Sequence, residues 1–296
     1  NDLLAWTSLS QMHVRDGNIP EAEAAKANGI TFIGPSSDVL EMAGNKVIAK
    51  EAAIRAGVPV LKSTQSSDNV DELVGQADAI GFPIFVKAVA GGGGRGMRRV
   101  AKKEDLRAAL VEASREAESS FGDARVFLEQ AVIRPRHIEV QILADTFGNV
   151  VHLFERDCSV QRRNQKVVER APAPYLDDVQ RKMLCDSAIR LMQAVHYTHA
   201  GTVEFLMDGD TDEFYFIEVN PRIQVEHTVT EQVTGIDIVK AQIHISEGAK
   251  IGTPESGIPT QENIKLNGHA LQCRVTTEDP ENGFSPDYGK ISTYRS

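Results

Sequence analysis

Two glutamates and an asparagine stand where a β-hairpin would bring them together. Glu204 belongs to one alternating segment, and Glu218 and Asn220 belong to a second segment that follows a polar turn. Such a pattern predicts a hairpin. If Asp208 faces Phe214, register counting places Glu204 opposite Glu218, with Asn220 two residues along on the same face.

Two carboxylates that face each other in a sheet repel, so this arrangement favours a bound cation. Oxygen ligands select a hard ion, and Mg²⁺ held by carboxylates and phosphate oxygens is the usual partner of a triphosphate. The hairpin therefore predicts a metal–nucleotide site. An ordinary amphipathic hairpin with its acids in solvent is the open alternative.

A short polar alternation follows the hairpin directly. In an extended strand Arg222, Gln224 and Glu226 share one face, while Ile223 and Val225 share the other. A carboxylate beside an arginine can serve as a general base towards a small acidic substrate. A salt-bridged strand without catalytic function would show the same pattern.

A glycine-rich segment suggests a phosphate-binding loop of an unusual kind. Gly91, Gly93 and Gly96 satisfy the dinucleotide fingerprint, but a strand follows them where that motif requires a helix. A Walker A loop is excluded because Lys87 precedes the glycines. What remains is a hairpin tip that lays backbone N–H groups over phosphates above a strand lysine, or a glycine hairpin with no ligand.

Basic residues crowd one further segment of this acidic chain. Arg156, Arg162, Arg163 and Lys166 lie within a few residues of one another. Anion binding is one interpretation of the cluster. A solvated loop whose arginines pair with nearby acids is the other.

The elements that must position these residues are those of an α+β protein. The 296 residues are 41% hydrophobic, enough for a substantial core in more than one lobe. Strands and amphipathic helices alternate without repeats. We expect two lobes and a glycine-rich lid that contains a helix over 104–119.

Composition excludes several classes of partner and location. The formal charge of -10 is spread along the chain, so we expect no nucleic-acid and no membrane binding. Three cysteines without C-x-x-C spacing favour a reducing compartment, the cytoplasm or, in an animal, the mitochondrial matrix. No apolar run is long enough to span a bilayer. We expect the chain to be a piece of a longer protein.

Long motifs resemble the biotin carboxylase family of ATP-grasp enzymes over nearly the whole chain from Gly29. The most specific are 155–166, 216–227 and the glycine loop. Within the family, Asn164, the run 273–280 and the end 293–296 are most similar to pyruvate carboxylases, with acyl-CoA carboxylases as the alternative. The resemblance implies an ATP-grasp fold and ATP- and bicarbonate-dependent carboxylation of biotin through carboxyphosphate.

The resemblance also implies a role for each matching residue. ATP and the lid that closes over it are assigned to Lys46, Lys87, Gly91, Gly92, Gly93, Gly94, Gly96, Met97, Glu129, His137, Gln161 and Leu206. Mg²⁺ or Mn²⁺ is assigned to Glu204, Glu218 and Asn220. Bicarbonate, carboxyphosphate and biotin are assigned to Lys166, Arg222, Gln224, Val225, Glu226 and Arg274, of which Glu226, Arg222, Lys166 and Arg274 form the catalytic set.

By the same resemblance the chain divides into three parts. Residues 1–45 would be a remnant of an N-terminal α/β subdomain, 46–250 the ATP-grasp domain with its lid at about 62–131, and 251–296 the start of the C-terminal subdomain. The implied partners are bicarbonate, a biotin carrier domain, a carboxyltransferase domain and further copies of the chain, four in a pyruvate carboxylase. A carbamoyl-phosphate synthetase half and a non-catalytic nucleotide-binding module remain as rival functions.

Overall fold

A computed structural model describes residues 31–90, 97–162, 165–287 and 293. Seven α-helices occur in the described residues: α1 Ser37–Gly44, α2 Lys46–Arg55, α3 Val70–Ile80, α4 Lys103–Phe121, α5 Asp178–Ala194, α6 His227–Thr234 and α7 Ile238–Ser246. The strands of the same residues are β1 Ile84–Ala88, β2 Met97–Val100, β3 Val126–Gln130, β4 Pro135–Ala144, β5 Val150–Arg162, β6 Gln165–Ala171, β7 His199–Asp208, β8 Phe214–Asn220, β9 Ala270–Cys273, β10 Glu278–Asp279 and β11 Ser285–Pro286. A 3₁₀ turn spans Gln261–Asn263. No helix of these ranges is both long and apolar enough to cross a membrane.

The smaller of the two main sheets has three antiparallel strands in the order β2-β1-β3. Helices α3 and α4 cover it, because α4 buries Leu106, Leu110, Ala113 and Ala117 on one face, the spacing of an amphipathic helix. The helix ends at Gly122, whose φ of 71° few other residues adopt. The helix predicted over 104–119 is confirmed, and this unit has its own apolar core.

The larger sheet has six antiparallel strands in the order β8-β7-β4-β5-β6-β9. Successive residues of β4 face opposite sides, so Ile138, Val140 and Ile142 join a core with α1, α2 and α5, while Leu143 joins a second core with α7. Helix α5 begins at a capping box in which Asp177 accepts from the N–H of Gln180. Helices therefore cover both faces, and the α+β prediction is confirmed.

The predicted hairpin is formed by β7 and β8, with a register more complex than expected. Glu204 pairs with Glu218 as predicted, but Phe214 lies opposite Met207 and not Asp208. A β-bulge at Ile217 adds the missing residue to β8, which restores the expected register at the glutamates.

The alternating segment after the hairpin is not a strand, so that prediction is wrong. Residues 221–226 form a bend and a turn that lead into α6, and Glu226 stands at its N-terminal boundary. The backbone N–H of His227 donates to the carbonyl of Gln224 at 3.3 Å. In this turn the side chains of Gln224 and Glu226 are buried, whereas that of Val225 is 63% exposed. The polar alternation therefore still separates a buried face from an exposed one.

A short extended segment ties the two sheets together. Val60 bridges to Phe216 of the larger sheet, and Ser63 bridges to Glu129 of the smaller one. The N–H of Phe216 donates to the carbonyl of Pro59 at 2.8 Å. Because the segment 60–63 pairs with both sheets within a few residues, it connects them at the base of the cleft.

Candidate active site

One cavity of about 1680 Å³ lies between the two sheets. Every described residue that the sequence assigned to a site lines this cavity: Lys46, Lys87, Met97, Glu129, His137, Gln161, Lys166, Glu204, Leu206, Glu218, Asn220, Arg222, Gln224, Val225, Glu226 and Arg274. Gly91, Gly92, Gly93, Gly94 and Gly96 lie outside the described residues. The residues come from segments far apart in the chain, so only the fold brings them together.

At one end of the cavity lie three lysines, two of which pair with the carboxylate of Glu129. Helix α2 starts at Lys46 because the side chain of Asn45 accepts from two backbone N–H groups, and this places Lys50 one turn further on the same side. Lys50 Nζ donates to Glu129 Oε1 at 3.0 Å and to Ser63 Oγ at 2.8 Å. Lys87 of β1 pairs with the other oxygen of Glu129.

These charges shift one another's titration. Burial lowers the pKa of Lys46, and the neighbouring charge of Lys87 lowers it further. Burial also lowers the pKa of Lys50, although Glu129 opposes this. Burial raises the pKa of Glu129, but Lys87 and Lys50 outweigh it and the net pKa is lowered. The cations outnumber the carboxylate, so this end suits a polyanion such as a triphosphate.

The centre of the cavity holds the paired glutamates of the hairpin. Glu204 Oε1 accepts from Lys166 Nζ at 2.8 Å, from Asn220 Nδ2 at 2.9 Å and from Gln224 Nε2 at 3.2 Å. His137 Nε2 lies 2.8 Å from Glu204 Oε2. Burial opposes ionisation of Glu204, but His137 and Lys166 hold its pKa well below the usual range.

Glu218 differs from its partner across the hairpin. Burial and the charge of Glu204 raise its pKa, while Lys46 lowers it. No cation of the described chain lies within 4.0 Å of its carboxylate. A carboxylate that faces another and lacks a close cation favours a positive ion beside it.

The donor set fits a hard divalent ion. Glu204, Glu218 and Asn220 offer oxygen atoms from neighbouring strands, and oxygen is what Mg²⁺ and Mn²⁺ take from proteins. His137, Glu139 and Glu204 also place ligand atoms within 4.8 Å of one another. The chemistry of these residues is therefore compatible with the predicted metal.

At the other end Lys166 connects three glutamates. Its Nζ donates to Glu204, to Glu226 Oε1 at 2.7 Å and to Glu139. Burial opposes the charge of Lys166, but Glu139 and Glu204 raise its pKa well above the usual range. Arg274 Nη2 donates to Glu226 Oε2 at 2.8 Å. Both oxygens of Glu226 are thus held in place by a cation.

The arginine beside Glu226 is Arg274 and not Arg222, which corrects the sequence interpretation. Arg222 donates to the carbonyl of Ile223 at 3.2 Å and to Asn220 Oδ1 at 3.4 Å. Arg222 and Glu226 form no hydrogen bond or salt bridge with each other in the described part of the chain. Arg222 remains on the cavity wall.

The basic cluster does not act as one anion site. Arg156 is fully buried and donates to Glu139 Oε1 at 2.5 Å, to Gln141 Oε1 at 2.8 Å and to Gln224 Oε1 at 3.2 Å. Arg162 pairs with Glu278 at the rim. Arg163 is outside the described residues. Arg162 and Lys166 line the cavity, and anion binding stays a prediction for them.

His137 and Gln161 contact each other on the cavity wall. Gln161 Nε2 and His137 Nδ1 are 2.8 Å apart. Burial lowers the pKa of His137, but its contact with Glu204 prevails and raises it. Met97 pairs with Lys87 across the small sheet and Leu206 with His137 across the large one, so both apolar side chains start beside polar site residues.

Sequence reasoning missed three charged residues of the cavity region: Lys50, Glu139 and Glu169. Glu139 follows His137 by two residues in a predicted strand, and this polar alternation in an apolar run was the available signal. Lys50 lies one helical turn after Lys46, another usable signal. Glu169 carries no local signal, because its partner Arg274 is far away in the chain.

Comparison with known proteins identifies the fold. Residues 45–253 match the family described as carbamoyl-phosphate synthase L chain, ATP binding domain. A pyruvate carboxylase of Staphylococcus aureus (strain Mu50) is 52% identical over 300 residues, covering 100% of this chain and 26% of that protein. The chain thus spans about a quarter of the length of the curated relatives it matches.

Solved structures agree with the sequence match. A pyruvate carboxylase variant of Rhizobium etli with acetyl coenzyme A superposes with a TM-score of 0.86 at 62% identity, over 93% of this chain and 24% of that one. The biotin carboxylase domain dimer of a Hydrogenobacter thermophilus 2-oxoglutarate carboxylase, in complex with MgADP, ADP and bicarbonate, gives 0.84 at 40% identity over 97% and 65%. The predicted ATP-grasp architecture is confirmed.

Proposed function

We propose a biotin carboxylase function for this chain, because the chain belongs to the carbamoyl-phosphate synthase L chain ATP-binding domain family and, within it, to the biotin carboxylases. The reaction is ATP- and bicarbonate-dependent carboxylation of biotin. One observation carries the proposal: a single cavity joins a lysine-rich end to an end where Lys166 and Arg274 hold Glu226. Such a cavity accommodates a triphosphate and a small anion side by side.

At the lysine-rich end Lys46 and Lys87 bind the phosphates of ATP. Lys87 now pairs with Glu129, so the proposal requires Lys87 to move from that carboxylate to the phosphates when ATP binds. Met97 and Leu206 pack against the adenine, Glu129 lies at its edge, and His137 and Gln161 lie near the ribose and phosphates. The glycines of 91–96, which lie outside the described residues, keep their proposed role in covering the phosphates.

Glu204, Glu218 and Asn220 would hold Mg²⁺ or Mn²⁺, which when bound neutralises the charge of the triphosphate. These three side chains are close together before any metal binds. Glu218 faces Glu204 across the hairpin, and burial together with the charge of Glu204 raises the pKa of Glu218. Asn220 Nδ2 donates to Glu204 Oε1, so side chains of both strands already meet at this place.

At the other end Glu226 accepts the proton of bicarbonate. The resulting oxyanion attacks the γ-phosphorus of ATP, the bond to the β-phosphate oxygen breaks, and ADP leaves with formation of carboxyphosphate. Lys166, Gln224 and the backbone of Val225 orient the bicarbonate. Arg274 and Arg222 supply positive charge where carboxyphosphate and the biotin ureido oxygen lie.

The larger setting is also a proposal. Relatives of much greater length are pyruvate carboxylases, and the chain covers about a quarter of them. We infer that this segment works in a homo-oligomer, a tetramer, beside a carboxyltransferase domain and a carrier domain that delivers biotin. Residues 1–45, 46–250 and 251–296 are its three proposed parts, with the lid at about 62–131, and the cytoplasm or mitochondrial matrix is its proposed location.

The test is the response of ADP release to substrates in the full-length protein. Bicarbonate should be required for ADP release, and free biotin should accelerate it. An Arg222→Ala variant should lose most of the biotin-dependent increase while it still binds ATP. If ammonia and not biotin accelerates ADP release, the chain performs the chemistry of a carbamoyl-phosphate synthetase and the proposal is wrong.

A further inference from the structure

Arg274 is held between two carboxylates on different elements. Its Nε donates to Glu169 Oε1 at 2.6 Å, and its Nη2 donates to Glu226 Oε2 at 2.8 Å. Its backbone N–H donates to the carbonyl of Val167 at 2.9 Å, which continues the pairing of β9 with β6. The side chain therefore leaves the edge of the large sheet between a strand glutamate and the proposed general base.

Glu169 has features of a dedicated counter-charge. It is 0% exposed, and Arg274 is the one cation of the described chain within 4.0 Å of its carboxylate. Its Oε2 has no hydrogen-bond partner among the same residues. A buried carboxylate is costly without compensation, so Glu169 and Arg274 depend on each other.

The two carboxylates differ in what happens to them during the proposed reaction. Glu226 takes a proton, and its attraction for Arg274 weakens when it becomes neutral. Glu169 does not line the cavity, whereas Lys166 and Val167 of the same strand do. Glu169 therefore does not receive the proton of bicarbonate. Burial raises the pKa of Glu169, and the guanidinium of Arg274 opposes this shift.

Arg274 keeps donors for a ligand. A guanidinium has five N–H donors in a fixed plane, and Glu169 and Glu226 occupy two of them. Its Nη1 makes no hydrogen bond to the described residues. Since Arg274 lines the cavity, its remaining donors can reach an anion there.

We propose that Glu169 is a positioning residue, which anchors Arg274 at the carboxyl-transfer end of the cavity throughout the reaction. The inference rests on the proposed function and deepens it. Glu226 alone cannot serve as the anchor, because it releases Arg274 when it accepts the proton. Without Glu169 the guanidinium of Arg274 would turn towards carboxyphosphate or solvent and would no longer be held in one orientation.

The experiment compares Glu169→Gln with a matched control in the full-length protein. Glu155→Gln makes the same change at another buried glutamate. The Oε1 atom of Glu155 lies 3.0 Å from Arg181 Nε, and neither residue lines the cavity. Both changes should lower the melting temperature. Only Glu169→Gln should reduce kcat/KM for biotin, by about 10- to 100-fold, while KM for ATP stays unchanged.

A double-mutant cycle separates positioning from general damage. In an Arg274→Ala background, Glu169→Gln should cost nothing further, because its effect passes through the arginine. Additive losses, or an equal loss of kcat/KM in Glu155→Gln, would overturn the proposal.

A crystal structure of Glu169→Gln makes the test independent of turnover. We expect Arg274 to leave its position beside Glu226, and an unmoved guanidinium would refute the anchoring role. If the wild-type protein shows no biotin-stimulated ADP release, the proposed function fails on its own, whereas the position of Arg274 in that crystal structure still decides whether Glu169 anchors it.

Discussion

The two ends of the cavity handle charge in opposite ways. At the nucleotide end Lys50 and Lys87 pair with the carboxylate of Glu129, and Lys46 lines the same end without an ion pair to it among the described residues. At the bicarbonate end acids and bases alternate in a continuous network, in which Lys166 alone contacts three glutamates. The nucleotide end has more cations than carboxylates in contact with them, which suits a polyanion. At the bicarbonate end each glutamate of the network already pairs with a cation of the chain.

This difference indicates two kinds of binding. A cation-rich end gains its stabilisation from the ligand, so its side chains must rearrange when the triphosphate arrives. A neutralised, buried network is rigid before any ligand binds, which is what the placement of a reacting atom requires. Substitutions at the two ends should therefore differ in kind as well as in size.

The largest effect is expected at the proposed general base. Glu226→Gln removes the proton acceptor but keeps its shape, so bicarbonate-dependent ADP release should fall by about 10²- to 10⁴-fold. ATP binding, measured by calorimetry, should stay unchanged because the nucleotide end is intact. Glu231→Gln, on the following helix and off the cavity wall, is the control. Normal turnover in Glu226→Gln would exclude it as the base.

The next effect is on stability. Arg156→Met removes one of the two cations that pair with buried Glu139 and leaves only Lys166, and loss of one member of a buried pair costs about 3–5 kcal/mol. Urea unfolding measures the change in free energy. Arg107→Met breaks an exposed pair with Asp71 on the small sheet's helices and should cost less than about 1 kcal/mol. Equal costs would show that the bicarbonate end is no more rigid than the surface.

A pH effect should separate the two sheets. Burial lowers the pKa of His152, on β5 of the large sheet, from 6.5 to about 4. Because the folded state resists protonation, this histidine favours folding above pH 6.5, and its contribution is lost as the pH falls towards 4. His152→Gln should reduce the loss of stability between pH 8 and pH 5 by about 2 kcal/mol.

His269→Gln, at an exposed histidine, provides the control for the substitution itself. Hydrogen exchange at low pH should show faster opening of β5 before the strands of the small sheet. Simultaneous opening of both sheets would contradict a local effect of His152 on the large sheet.

The smallest effect concerns the nucleotide end. In Lys50→Met the carboxylate of Glu129 is left to Lys87 alone, which draws Lys87 away from the phosphates. We expect KM for ATP to rise by about tenfold, the equivalent of one charge-assisted hydrogen bond, with KM for bicarbonate unchanged. Lys62→Met, at a neighbouring exposed lysine, should change neither. A change in both constants would show that the two ends are not independent.

The sequence predicted this site well where residues are close in the chain. The Glu204–Glu218 pairing was correct although the assumed turn register was off by one, because the bulge at Ile217 compensated. Segment 221–226 was wrongly predicted as a strand, since alternation describes a polar turn on a cavity wall equally well.

Charge partners far apart in the chain could not be predicted. Arg156 was grouped in a basic cluster interpreted as an anion site or as a solvated loop, yet strand pairing buries it on Glu139. Arg274 reaches Glu226 only because β9 joins the edge of the large sheet beside β6. Neither contact has a local signal, because sheet topology and not spacing brings the residues together.

Transfer of isotope from bicarbonate tests the central claim most directly. If the bicarbonate oxyanion attacks the γ-phosphorus, the full-length protein supplied with ¹⁸O-bicarbonate, MgATP and biotin should release inorganic phosphate that carries one ¹⁸O from bicarbonate. Mass spectrometry of the phosphate gives the answer. Phosphate that takes its new oxygen from water alone would contradict bicarbonate activation in this cavity.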